Sequence, residues 1–225
     1  MPDIHVGIVS SSLGGTKAGW CSQTKDNDHG ELLSRTKDTP VSTYEGFGFL
    51  AWDPDQKLSP PGQSVLDGTP GALVPSLQQM VRGVGEKGCG FESQLESMYL
   101  GLAKAQDENS KNYGFLRYGA QLAVVIVTDE ADCSYSPGAK EIFTTNKVFW
   151  NDPDFDAAPT SAMCWRAGVA CTGGPGTYSE CHPQDFGTDG APVDDVAQAV
   201  LQPVSKYVDF VKQIEAQKQN ISAAQ

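Results

Sequence analysis

The sequence predicts an α/β fold: a doubly wound, mostly parallel open sheet with helices on both faces, plus a Cys-rich loop insertion. Three observations predict it. "QLAVVIV" at 121–127 is a near-continuous apolar run of strand length, the pattern of a strand buried on both faces. "DIHVGIVSSSLGG" near the start reads as a second buried strand ending in a polar turn, with Ile4, Val6 and Ile8 on one side and His5, Gly7 and Val9 on the other. Two amphipathic helical patterns lie between these runs, and strand, excursion, two helices, buried strand is the order of an open α/β sheet.

The elements follow in order. Residues 16–70 are rich in Gly, Pro, Asp and Ser and read as loop, with one or two short strands around "FGFLAW". "ALVPSLQQMVRGVG" sets Leu73, Leu77, Met80, Val81 and Val84 on one helical face, with Gly83 and Gly85 as stop signals. "GCGFESQLESMYLGLAKAQ" gives a second helix with a core stripe of Phe91, Leu95, Tyr99 and Leu102, and Glu92 in its first turn. "EIFTTNKVFW" reads as a strand, or as a short helix and a strand. Residues 151–192 form a Cys-, Gly- and Pro-rich insertion. "PVSKYVDFVKQIEAQ" is a terminal helix that starts near Pro203 and turns Val204, Val208, Val211 and Ile214 inward. Residues 218–225 read as a frayed tail, and the whole of 1–225 as one domain.

Net charge is -12 with 39% hydrophobic residues. There is no basic stripe to replace the counterions of a phosphate backbone, so nucleic acid is excluded as a partner. No stretch approaches the ~18 apolar residues of a spanning helix. The six cysteines, Cys21, Cys89, Cys133, Cys164, Cys171 and Cys181, contain no CxxC pair and no zinc-ribbon spacing. Three of them fall in a loop-rich stretch with little core of its own. This points to disulfides and an exported protein, periplasmic, cell-surface or secreted. The pairing stays open. No leader is visible before "IHVGIV", and the abrupt entry into a strand leads us to expect a chain that begins further upstream.

The candidate site is the acidic mouth of the apolar run. In a doubly wound sheet, ligands bind beyond the carboxyl ends of the strands. Asp129 directly follows "VVIVT" and Asp132 comes one turn later. Both offer oxygen ligands for magnesium or calcium. Ser10 and Ser12 end the first strand at the equivalent place and join them as candidate metal partners. The competing reading makes Asp129 a cap of the following turn. Glu130 points away or orients a water. "DNDHGE" at Asp26–Glu31 looks like part of a calcium loop but lacks the later ligands, and a polar turn is favoured.

His5 reads as a packed strand residue. His29 and His182 lie in polar loops and form the alternative metal set with Asp129, which would suit zinc. On that alternative the chain is a metal-assisted ester or phosphoester hydrolase, with Glu130 or Asp132 as general base. No G-x-S-x-G elbow exists, and "GGPGTYS" lacks the Lys-Ser/Thr ending of a phosphate loop.

Four blocks, "DIHVGIVSSSLGG", "GCGFESQLESMYLGL", "LAVVIVTDEADCS" and "PVSKYVDFVKQI", resemble in this order blocks of von Willebrand factor A-like (VWA-like) domains of exported bacterial proteins, many of them lipoproteins. The resemblance covers most of the chain and is strongest in "VTDE-x-DCS" with "GCGFE". It implies the doubly wound fold and a metal-ion-dependent adhesion site at the sheet edge. Of that site's three loops, only the strand-ending aspartate matches, at Asp129. The threonine loop would fall at Gly88–Glu92, which has no threonine, and the Asp-x-Ser-x-Ser loop is missing. "DIHVGIV" looks like the family's second strand. The resemblance therefore implies a chain without the first strand, and either a rearranged sheet or a homodimer that completes it.

The sequence thus supports a VWA-like binding or adhesion module with a partial divalent-metal site. Its ligand, a protein or a small molecule, is not specified. A disulfide-stapled domain whose acids serve solubility is a third reading.

Overall fold

The computed structural model describes residues 3–14, 21, 27–150, 159–174 and 177–220. The strand expected at the start forms as β1, Ile4–Gly7, and "FGFLAW" supplies β2, Phe49–Trp52. The two pair antiparallel, with Ile4 opposite Trp52 and Gly7 opposite Phe49. β2 is buried along its whole length, because β1 flanks its edge and helix α1, Leu73–Gly83, covers it. Leu50, Trp52, Leu73 and Met80 form a core there, with Val6, Ile8, Val41 and Leu77 packed against it.

Helix α2, Gln94–Lys104, and helix α4, Val204–Asn220, pack on each other. Their contact is aromatic, with Tyr99 4.4 Å from Phe210 between ring centroids. The Lys206 ammonium lies 4.5 Å above the Tyr99 ring, within cation–π range. α2 starts at Gln94, so Phe91 and Glu92 precede it and Glu96 occupies its first turn. On α4 the buried positions are Tyr207, Ile214 and Lys218, whereas Val204 and Val208 face solvent. The expected inward stripe is thus rotated, because Tyr207 takes the inner position and its hydroxyl reaches Glu96 at 2.8 Å. On α1, Val81 is likewise exposed.

The region expected to be a loop insertion carries its own structure. Helix α3, Ala162–Gly168, leads into β3, Val169–Thr172, which pairs antiparallel with β4, Glu180–Pro183. A second core lies here. Ile142, Phe143, Phe149, Met163, Ala167 and Val200 pack around Cys133 and Cys164. "EIFTTNKVFW" contributes the end of a 3-10 helix, Pro137–Phe143, and no strand. "VDDVAQAVLQ" holds another 3-10 turn, Val196–Gln198. α4 continues to Asn220, so the start of the expected frayed tail is helical, and 221–225 lie outside the described residues.

The doubly wound parallel sheet is not what forms. Among the described residues there are two separate two-stranded sheets, both antiparallel. The reason lies at 122–127. The apolar run expected as an inner strand forms no helix, turn or ladder, and among the described residues no backbone hydrogen bond joins it to β1 or to any other segment. Val125 is 83% and Val127 92% exposed, and Val124 and Ile126 are about half exposed. A parallel sheet needs its inner strands hydrogen-bonded on both edges, and among the described residues neither β1 nor this run has the neighbour that would join them.

All six cysteines are paired, as Cys21–Cys89, Cys133–Cys164 and Cys171–Cys181. Among the described residues, no helix is long and apolar enough to cross a membrane.

Candidate functional site

The turn after β1, the turn before α2 and the acidic turn at 128–134 meet at one place. Ser93 N donates to Ser11 O at 2.9 Å, and Cys133 N donates to Glu92 O at 2.7 Å. The sequence candidates lie along this junction and fall into two groups.

The first group is committed to holding the junction together. Ser10 Oγ donates to Asp28 Oδ2 and accepts from Ser12 N at 3.3 Å. Ser12 Oγ donates to Asn27 Oδ1 at 2.7 Å and accepts from Cys89 N at 2.7 Å. Both serines are buried. Asp28 also binds the Arg35 guanidinium, Nη2 to Oδ2 at 2.9 Å with Nη1 on Oδ1, so its charge is matched in a bidentate pair. Of the calcium-loop candidate "DNDHGE", Asp26 lies outside the described residues, and the rest is the polar turn that the sequence favoured. Asp132 is committed too. Its Oδ2 accepts from Leu95 N at 2.9 Å and its Oδ1 from Ser134 N at 2.9 Å. The Gln94 amide donates to the same Oδ2 at 3.0 Å while its oxygen accepts from Thr128 Oγ1 at 2.6 Å. A carboxylate on the orphan N–H groups of a first turn is a helix cap.

The second group is open. Asp129 and Glu130 are exposed, and among the described residues neither side chain has a hydrogen-bond or ion-pair partner. The backbone around them is fixed: Glu130 N donates to Thr128 Oγ1 at 3.1 Å. Two free carboxylates thus stand side by side at the end of the exposed apolar run.

The histidines do not join them. His29 is in the left-handed region, φ 52°, in the turn between β1 and β2, and its carbonyl accepts from Lys104 Nζ at 2.8 Å. His182 is exposed on β4, opposite Ala170. His5 is packed, as read from the sequence: its ring lies 4.6 Å from that of Phe49, and Nδ1 donates to Phe115 O at 2.9 Å. Burial holds the His5 imidazolium pKa below its ordinary value, and the Arg117 cation adds to that. Among the described residues, no three His, Cys, Asp or Glu side chains converge as a metal-binding group.

Sequence reasoning passed over three residues that hold this edge. Asn112 is fully buried. Its amide donates to Gly30 O at 2.8 Å and Gly101 O at 3.0 Å, and its oxygen accepts from Leu32 N at 2.8 Å. Gly30 sits against α2, where an added Cβ would come within 2.7 Å of Leu100 Cβ, and its φ of +75° suits glycine. Glu96 Oε2 accepts from Lys206 Nζ at 2.6 Å as well as from Tyr207 Oη, which ties α4 to α2. Burial, with the neighbouring Glu96 carboxylate, raises the Tyr207 pKa far above the ordinary phenol value, against the lowering effect of Ser134. Only the four-residue spacings of a helix were visible for Glu96. An asparagine in a polar loop carries no sequence signal at all.

Compared with protein-family models, with curated proteins and with solved structures, the chain finds no match in any of the three.

Proposed function

We propose that this chain is a VWA-like binding or adhesion module of an exported bacterial protein, working through the acidic end of the 122–127 run. The observation that carries the reading is the exposed pair Asp129 and Glu130, which have no side-chain partner among the described residues, on a turn that Cys133, Thr128 and the Asp132 cap hold in place. Fixed, unneutralised carboxylates on an exposed turn suit a hard cation or a basic group of a ligand. The three disulfides are in keeping with an oxidising compartment.

With Ser10, Ser12 and Asp132 engaged elsewhere, a calcium or magnesium ion at Asp129 would keep most of its waters. Its dissociation constant should lie at about millimolar, the weak end for extracellular calcium sites. The hydrolase alternative loses support, because Asp132 is saturated by N–H donors and neither histidine adjoins the acids.

Calcium titration followed by calorimetry tests the reading. Millimolar binding that disappears in Asp129→Asn is expected. Binding unchanged in that variant would sink the proposed site. Chelator-sensitive turnover of an activated ester, lost in Asp129→Asn, would instead restore the hydrolase.

A further inference from the structure

The three disulfides sit in unlike surroundings. Cys133 and Cys164 are buried inside the second core, and Cys21 and Cys89 are buried where Cys89 N donates to Ser12 Oγ. The Cys171–Cys181 bridge lies on a surface hairpin instead. Cys171 is half-buried and Cys181 is exposed, as is every residue of β4. The bridge joins directly opposite residues of the two strands, with Cα atoms 4.1 Å apart. Among the described residues β4 pairs with β3 alone, so no further strand covers it.

Thiol–disulfide exchange requires a thiolate to reach one sulfur of the bridge, so access decides which bridge reacts. Either buried bridge needs its packing to open first. The hairpin bridge does not. We infer that Cys171–Cys181 is a thiol-exchange site of the folded chain, one that takes a dithiol as its co-reactant while the other two bridges stay closed. One thiolate of the dithiol attacks the exposed Cys181 Sγ. A mixed disulfide forms there, the Cys171–Cys181 bond breaks, and its electron pair leaves on Cys171 Sγ, which takes a proton from water. The second thiol, once deprotonated, attacks the reagent's own sulfur in the mixed disulfide. That closes the reagent into its disulfide and releases the Cys181 thiolate, which is protonated in turn. The chain gains two electrons and two protons, and the dithiol loses the same.

The opened site is built to close again. The β3–β4 ladder keeps Cys171 opposite Cys181, and three further contacts hold the register: Ser179 N donates to Thr172 O at 3.0 Å, the Thr172 and Ser179 hydroxyls lie 2.9 Å apart, and Gln184 N donates to Gly168 O at 3.0 Å. No free cysteine competes for the two thiols, since the other four are paired. Tyr178, just before β4, lies 5.5 Å from Trp165 of α3 between ring centroids, so opening the hairpin loosens an aromatic contact that can be followed optically. The inference stands whether or not the acidic turn holds a cation, since Asp129, Glu130 and Asp132 take no part in it.

The test uses the whole oxidised chain without denaturant. Graded dithiothreitol is followed by alkylation and peptide mass spectrometry. We expect Cys171 and Cys181 to be alkylated together, at least about tenfold faster than the other four cysteines, with the far-ultraviolet circular dichroism kept. Tryptophan fluorescence should change with the same time course, and this change should vanish in Trp165→Phe. Removing the reductant and adding oxidised glutathione should restore the Cys171–Cys181 pair. With glutathione as a single thiol, the trapped adduct should sit on Cys181. Four results overturn the proposal: equally fast alkylation of either other pair, reduction of Cys171–Cys181 only as the helical signal is lost, reoxidation to other pairings, or an adduct trapped on Cys171 instead.

Discussion

The Asp132 carboxylate grips the Leu95 amide at 2.9 Å through one oxygen and the Ser134 amide at 2.9 Å through the other. This one side chain therefore fixes the acidic turn to the start of α2. Asp132→Ala leaves the first-turn donor Leu95 N and the Ser134 N–H without this partner and should cost about 1–2 kcal/mol, read from the urea midpoint. Asp132→Asn should cost less, since it keeps an acceptor. Asp129→Ala, three residues earlier, should shift stability by less than about 0.5 kcal/mol.

Asn112 stitches three backbone segments from a site with no solvent contact. Removing its amide strands the Gly30 carbonyl and the Leu32 N–H, while Gly101 O keeps its bond from Ala105 N. Asn112→Ala should destabilise by about 3 kcal/mol, since each buried group left unpaired costs about 1–3 kcal/mol and partial relaxation recovers some of that. Thermal unfolding of the variant checks it. A loss under about 1 kcal/mol would mean that water replaces the amide.

The three disulfides should rank by loop and burial. Cys133 and Cys164 close a 31-residue separation inside a core where both are buried, whereas Cys171 and Cys181 close 10 residues on a surface hairpin. Chain entropy alone gives about 4 and about 3 kcal/mol respectively. Replacing Cys133 and Cys164 by alanine adds cavity cost in the packed core and should be the more harmful pair change. Equal denaturation midpoints for the two double variants would contradict the ranking.

His5 makes stability depend on pH. Its folded-state pKa lies below the unfolded value near 6.5 because burial disfavours the imidazolium. The unfolded chain therefore takes up a proton first as pH falls. This contribution is complete above about pH 6.5 and is lost as pH falls through the folded pKa. Comparing urea midpoints at pH 7.5 and 5.5 should show a smaller drop in His5→Phe than in the parent chain. An equal drop in both would assign the effect to other groups.

Helices α1, α2 and α4 were legible because each carries its own period, whereas the short α3 inside the Cys-rich stretch was not. Leu73, Leu77 and Met80 mark α1 and Tyr99 and Leu102 mark α2 whatever lies around them. β1 and β2 were legible as short apolar pieces, and the cysteine count pointed to disulfides but not to their pairing. Leu122–Val127 was misread for a physical reason. An apolar run states that a segment gains from burial, and says nothing of whether a neighbour exists to bury it. The same limit hid the roles of Ser10, Ser12 and Asp132. Residue type shows that an oxygen is available, while Asn27, Cys89 and Leu95, distant in sequence, decide that it is already engaged.

The covalent loops also bear on how the chain answers a pull. The three disulfide-closed stretches, spanning separations of 68, 31 and 10 residues, follow one another without interlocking. A force applied between the two ends would pass through the sulfur bridges and bypass what they enclose, so close to half of the contour could never be drawn out. α1 lies inside the first loop and the Pro137–Phe143 turn with much of its core inside the second. Those parts would stay compact on a tethered chain, while α2, the 122–127 run and α4 would take the load.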